Sequence, residues 1–155
     1  VSEPREPLCT WSEPVREEWI DYNGHLSEAY YVLVLGRATD AAMEALGMGP
    51  AYRERTGASL YTVEAHVRYL DQVGPGELLE ARTWAIGGSR KLLRLWHELW
   101  AGGSLRATEE VLGLHVDSGR VSGRAASAPF PDDVAALVEA ALTEPGPEAG
   151  RAIRL

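Results

Sequence analysis

Asp21, Asn23 and His25 stand on one short stretch, Asp21-Tyr22-Asn23-Gly24-His25-Leu26. A carboxylate can make a water nucleophilic or attack a carbonyl directly, and an imidazole nearby can orient that water or support the acid. Asn23-Gly24 is a turn signal, so Asp21 and His25 belong on a tightly bent loop. Ser27 follows as a helix N-cap candidate, just before an apolar run that begins at Ala29. The first N–H groups of a helix have no intrahelical acceptor and carry the positive end of its dipole. An oxyanion formed opposite Asp21 would find donors there. These residues also have plainer uses: Asp21 can tie down its own loop as an Asx-turn, and His25 can bond the loop backbone. Spacing alone leaves both uses open.

Further along, Glu64 and His66 alternate with Thr62 and Arg68 on one face of a predicted strand. Such a face is either solvated or the wall of a pocket, including one in a neighbouring subunit. In the second case Glu64 balances a cationic group, and aromatic faces such as Tyr22, Tyr30, Tyr31, Tyr61, Trp96 or Trp100 hold a quaternary ammonium. His25, His66, His97 and His115 show neither HxH nor HxxxH spacing, so no metal site is expected.

The elements that must position these residues follow from pattern. Residues 8–20 read as a strand demoted to an edge or bulge in its middle by Pro14. Residues 27–46 read as a helix whose charged residues Arg37, Asp40 and Glu44 form only a narrow stripe, so it must be covered on most sides. A short helix at 50–56 has Pro50 at its start and Gly57 as its stop. Strands are predicted at 59–70, 77–86, 91–101 and 105–116. Glycine-rich turns between them imply antiparallel hairpins rather than βαβ units. A last helix is predicted at 131–142, and 143–155 reads as an extended tail.

The whole is a single α+β domain spanning 1–155 with its core at about 8–142. A curved antiparallel five-stranded sheet wraps one long central helix. Its sheet edge and the Trp-bearing outer face of 91–101 call for a second copy, so a homodimer or a dimer of dimers is expected.

Composition narrows the partners. The chain has 155 residues, of which 45% are apolar, enough for one globular core. A formal charge of −8 argues against nucleic acid. No apolar run is long enough for a membrane span, and the charged start Val1-Ser2-Glu3-Pro4-Arg5-Glu6 has no signal-peptide core. A lone Cys9 forms no internal disulfide, which suits the cytoplasm.

The 21–31 stretch, Asp21-Tyr22-Asn23-Gly24-His25-Leu26-Ser27-Glu28-Ala29-Tyr30-Tyr31, resembles the hotdog-fold acyl-CoA thioesterases of the 4-hydroxybenzoyl-CoA thioesterase type. Their pattern is an Asp, three residues, then a Gly-His-Val-Asn-Asn-like step into the central helix. Residues 61–70 (Tyr61-Thr62-Val63-Glu64-Ala65-His66-Val67-Arg68-Tyr69-Leu70) and 107–117 resemble two further strands of that family. Together the blocks are most similar to its betainyl-CoA thioesterases, and Ser27-Glu28 departs from the usual Asn-Asn. The resemblance implies hydrolysis of a small acyl-CoA such as betainyl-CoA to free acid and CoA. Coenzyme A is then part of the substrate and no cofactor is needed.

It also implies Asp21 as general base or nucleophile, supported by Asn23 and His25, with Ser27, Glu28 and Tyr31 at an oxyanion-binding helix start. Tyr61, Glu64 and His66 would line the acyl pocket. Arg90 and Lys91, after Gly87-Gly88-Ser89, are the best basic spot for the phosphates of CoA, and are otherwise an ordinary hairpin tip. Two rivals stand beside this reading. One is a hotdog-fold enoyl-CoA hydratase, whose loop carries a proline missing here; the other is a non-catalytic acyl-CoA or small-cation binding module.

Overall fold

A helix apolar on most of its circumference needs a wall that bends around it, and the computed structural model has that wall. Residues 5–155 are described; the start at 1–4, part of the stretch from which a leader was argued absent, lies outside the described residues. The order is β1 (Cys9–Pro14), a 3-10 turn (Glu17–Trp19), α1 (Glu28–Ala45), α2 (Pro50–Thr56), β2 (Ala58–Tyr69), β3 (Leu78–Gly88), β4 (Leu92–Ala101), β5 (Ser104–Asp117), the two-residue β6 (Ala126–Ser127) and α3 (Asp132–Ala141). The strands pair antiparallel in the order β1-β3-β4-β5-β2, with β6 a short addition to β5. Among the described residues no helix is long and apolar enough to cross a membrane.

Alternation decides the inner face. Leu79, Ala81, Thr83 and Ala85 of β3 are all fully buried, as are Leu93, Leu95, His97 and Leu99 of β4. Against them lie Val34, Leu35 and Ala38 from the first half of α1, Ala42 and Met43 from its second half, and Leu46 at its C-cap. Phe130 and α3, through Val134 and Val138, close the second half. Gly57 ends α2 with φ +71°, a backbone region that favours glycine.

Three expectations need correction. Pro14 does not sit within a strand running to residue 20: β1 stops there, and the 3-10 turn buries Trp19, which stacks on Tyr30 at 5.4 Å. Proline has no N–H to continue a ladder. The chain itself does not cover α1 on most sides, because Val32 (41%) and Leu33 (39%) stay exposed. Finally, the Trp-bearing outer face is not left for a second copy. Trp84, Ile86 and Trp96 pack together with Ala149 from the end of the chain, and Ile153 is buried.

Glycines and prolines keep 143–155 out of regular structure, yet main-chain bonds suffice to dock it. Thr143 N–H donates to Ala85 O at 2.9 Å. Gly150 N–H donates to Glu110 Oε2 at 2.7 Å, and the buried Glu110 also pairs with Arg94 at 2.5 Å.

Candidate active site

Ile20 and Leu26 meet as an isolated antiparallel bridge, and the loop between them is closed by its own backbone. Asp21 N–H donates to His25 O at 2.9 Å, and Gly24 N–H to Asp21 O at 3.0 Å. Gly24 sits at φ +79°, which only glycine adopts without strain. Asp21 Oδ1 accepts the Asn23 N–H at 2.8 Å, so the Asx-turn is real. One carboxylate oxygen anchors the group; the other has no hydrogen bond among the described residues. Leu26 N–H to Val73 O (2.8 Å) and Ser27 N–H to Trp19 O (3.0 Å) fix where the loop hands over to α1.

Ser27 stands at the N-cap with extended backbone, but its side chain makes no capping bond. Its carbonyl takes the Tyr30 N–H at 3.0 Å. The amides of Glu28 and Ala29 meet no acceptor among the described residues. A capping hydroxyl would have competed for first-turn donors; without it they remain open beside Asp21.

Loop and helix start border one cleft of about 650 Å³. Asp21 and His25 come from the loop, Glu28 and Tyr31 from α1, Tyr69 from the end of β2, and Asp71 from the connection to β3. Tyr31 O–H donates to the Asp71 carbonyl at 3.0 Å, which ties that connection to the helix. The Tyr31 and Tyr69 rings meet edge-on with centroids 5.2 Å apart. Asp21, Glu28 and Asp71 bring three carboxylates to this cleft, and among the described residues no Lys or Arg lines it.

The remaining sequence-predicted residues fall in three places. Asn23 and His25 border the cleft, and neither side chain makes a hydrogen bond among the described residues; Asp21 is anchored by the Asn23 main-chain N–H. Glu64 and His66 pair across the ladder with Leu112 and Glu110. They therefore share the convex face with the Arg94–Glu110 pair and the docked tail, on the other side of the sheet from the cleft. Tyr61 is half exposed on the same edge strand, β2. Arg90 and Lys91 form the β3–β4 hairpin: Arg90 lines a separate cavity with Phe130 and Glu139, and Lys91 Nζ donates to Ser127 Oγ at 3.1 Å.

Sequence reasoning missed Tyr69, Asp71 and Glu109. Tyr69 has the parity of Val67, opposite to that of Glu64 and His66, so the same alternation read one residue over would have put it on the concave face.

Two histidines are sealed in the core. His97 is fully buried, with Nε2 3.0 Å from Thr39 Oγ1 and Nδ1 2.8 Å from Thr83 Oγ1. Burial pulls its pKa down to about 3, so it stays neutral. His115 donates from Nδ1 to Ala128 O at 2.8 Å and accepts the Tyr52 O–H at Nε2, also at 2.8 Å. Beside His97 in the ladder, Glu109 differs. It is 4% exposed, has no side-chain hydrogen bond among the described residues, and burial raises its pKa to about 7.

The sequence profile of the thioesterase-like superfamily matches residues 15–138. A betainyl-CoA thioesterase of Pseudomonas aeruginosa is 44% identical over 138 residues, covering 86% of this chain and 82% of that protein. A Ruegeria pomeroyi L-carnitine dehydrogenase/betainyl-CoA thioesterase is 37% identical over 96% of this chain, which spans 31% of the relative's length. Among solved structures, a Staphylococcus aureus protein in complex with CoA superposes with a TM-score of 0.80 over 94% of each chain, at 24% identity. That likeness is one of fold.

Proposed function

We propose, from the premise that this chain belongs to the thioesterase-like superfamily and is a thioester hydrolase, that it cleaves a small acyl-CoA in the cleft between Asp21 and the start of α1. One observation carries this reading: a carboxylate anchored by a single oxygen borders the same cleft as an uncapped helix start. A thioester carbonyl held between them would have its oxygen on the amides of Glu28 and Ala29. Negative charge developing on that oxygen is stabilised by these donors and by the helix dipole.

In the water route, Asp21 takes a proton as the water oxygen bonds to the carbonyl carbon. The C–S bond then breaks, and the proton passes to the leaving CoA sulfur. In the direct route, Asp21 bonds to the carbonyl carbon itself, CoA leaves, and water hydrolyses the resulting anhydride. Single-turnover hydrolysis in heavy-oxygen water, with hydroxylamine added in a parallel run, separates the two. Label in the Asp21 peptide, or hydroxamate formed on Asp21, means direct attack; label only in the free acid with no Asp21 hydroxamate means general base.

Betainyl-CoA is the substrate this reading favours, supported by the name of the 44% identical relative and by a cleft lined with three carboxylates and, among the described residues, no Lys or Arg. A homodimer accompanies it. β2 is an edge strand with Tyr61 and Val63 exposed, and Val32 and Leu33 of α1 are exposed as well. Pairing of β2 with its copy would cover that edge. The deciding test is Asp21→Asn in a thiol-release assay with betainyl-CoA. A loss of about 10³-fold or more in kcat with an unchanged circular dichroism spectrum is expected. Full activity would end the mechanism.

A further inference from the structure

We infer that Tyr69, flanked by Glu28 and Asp71, selects the acyl group of the substrate and that it selects a quaternary ammonium; this rests on the thioesterase reading above and names the part of the cleft that reads the acyl end. A tyrosine ring left 47% exposed inside a cleft invites a ligand that uses its face. The ring has contacts at its side and at its hydroxyl. Tyr31, 5% exposed and held by its hydroxyl to the Asp71 carbonyl, stands edge-on against it at 5.2 Å, and the Tyr69 O–H lies 3.4 Å from the Glu28 carbonyl.

The charges that bear on this ring are negative; Arg106 reaches the rim of the cleft through the Gln72 carbonyl and is paired there with Glu77. Glu28 and Asp71 line the cleft beside it. Glu109 lies one inward-facing step further along the concave side, buried and unpaired among the described residues. Burial first, then the carboxylates of Glu28 and Glu109, raises the Tyr69 phenol above its ordinary range.

An aromatic face held amid carboxylates, with the nearby Arg106 already paired to Glu77, stabilises a cation that cannot donate hydrogen bonds. It offers a neutral acyl group of the same shape much less. The cationic aromatic subsite therefore falls to Tyr69 on the concave side, rather than to Glu64 on the convex face.

The experiment compares betainyl-CoA with 3,3-dimethylbutanoyl-CoA, in which carbon replaces the ammonium nitrogen without changing the shape. The full chain is expected to favour the cationic ester in kcat/KM by about ten- to thirty-fold. Tyr69→Leu should erase that preference by slowing betainyl-CoA alone, Tyr69→Phe should keep it, and Glu28→Gln should reduce it part way. Equal hydrolysis of the two esters by the unaltered protein overturns the inference, as does an equal loss on both in Tyr69→Leu. In those cases thiol release itself persists, so the thioesterase reading survives. Absence of thiol release from these esters and from acetyl-CoA removes both.

Discussion

Two polar clusters share the concave side of one sheet, and they differ in whether the chain completes their hydrogen bonds. Around His97, the hydroxyls of Thr39 and Thr83 take up both ring nitrogens, and no part of the imidazole reaches solvent. Around the α1 start, Asp21 keeps an oxygen unbonded, Ser27 leaves its cap unmade, and Glu109 is buried with no partner among the described residues. The first cluster is satisfied, which makes it an inert part of the core despite its titratable ring. The second is left incomplete at a cleft, which is where a ligand can complete it. Residue type would have ranked them the other way, since histidine is the usual acid–base group.

Mutation on each side can break this contrast. The largest effect belongs to the cleft, where Asp21→Asn should remove nearly all turnover while thermal melting stays within about 2 °C of the unaltered protein. On the sealed side, Thr83→Val leaves a buried ring nitrogen unpaired and should cost about 1–3 kcal/mol of stability by denaturant titration, with kcat unchanged below the melting range. A Thr83→Val protein that is stable but inactive would make the His97 cluster functional after all.

The two titrating groups sharpen the comparison through pH. His97 has its pKa lowered to about 3, so unfolding takes up a proton and stability is lost as pH falls from about 6.5 towards 3. Glu109 has its pKa raised to about 7, so unfolding releases a proton and stability is lost as pH rises from about 4.5 to 7. The slopes oppose each other between about 4.5 and 6.5. His97 of β4 faces Glu109 across the ladder, and Tyr69 of β2 feels its charge from the same concave side. Glu109→Gln should raise stability at pH 8 by up to about 3 kcal/mol and change little at pH 4.5. Equal gains at both pH values would mean that the carboxyl is not the cause.

A smaller effect tests the open edge. Val63→Lys on β2 should shift the assembly towards monomer in sedimentation while the protomer melts within about 2 °C of the original. A gain of monomer with intact melting keeps the edge and the His97 core separate.

Most of the elements were legible in the sequence because their signals are local. Gly57 stops α2 where a stop was expected, and β3 and β4 start and end within about two residues of their predicted bounds. Asp21, Gly24 and the α1 start were legible for the same reason, since a loop closed by its own backbone needs nothing distant to form it. Pro14 misled because proline can weaken a strand or end it, and only the 3-10 turn burying Trp19 chose between these.

By itself, then, the sequence determined the helix, the hairpins and the loop at 21–26, because hydrogen bonds spanning a few residues dictate them. Tertiary structure alone decided which face each strand turned inward, that Tyr69 rather than Glu64 borders the cleft, and that the Trp face lies beneath residues 143–155. Those outcomes depend on burial between segments far apart in the chain, and no local pattern measures how much water a side chain will lose.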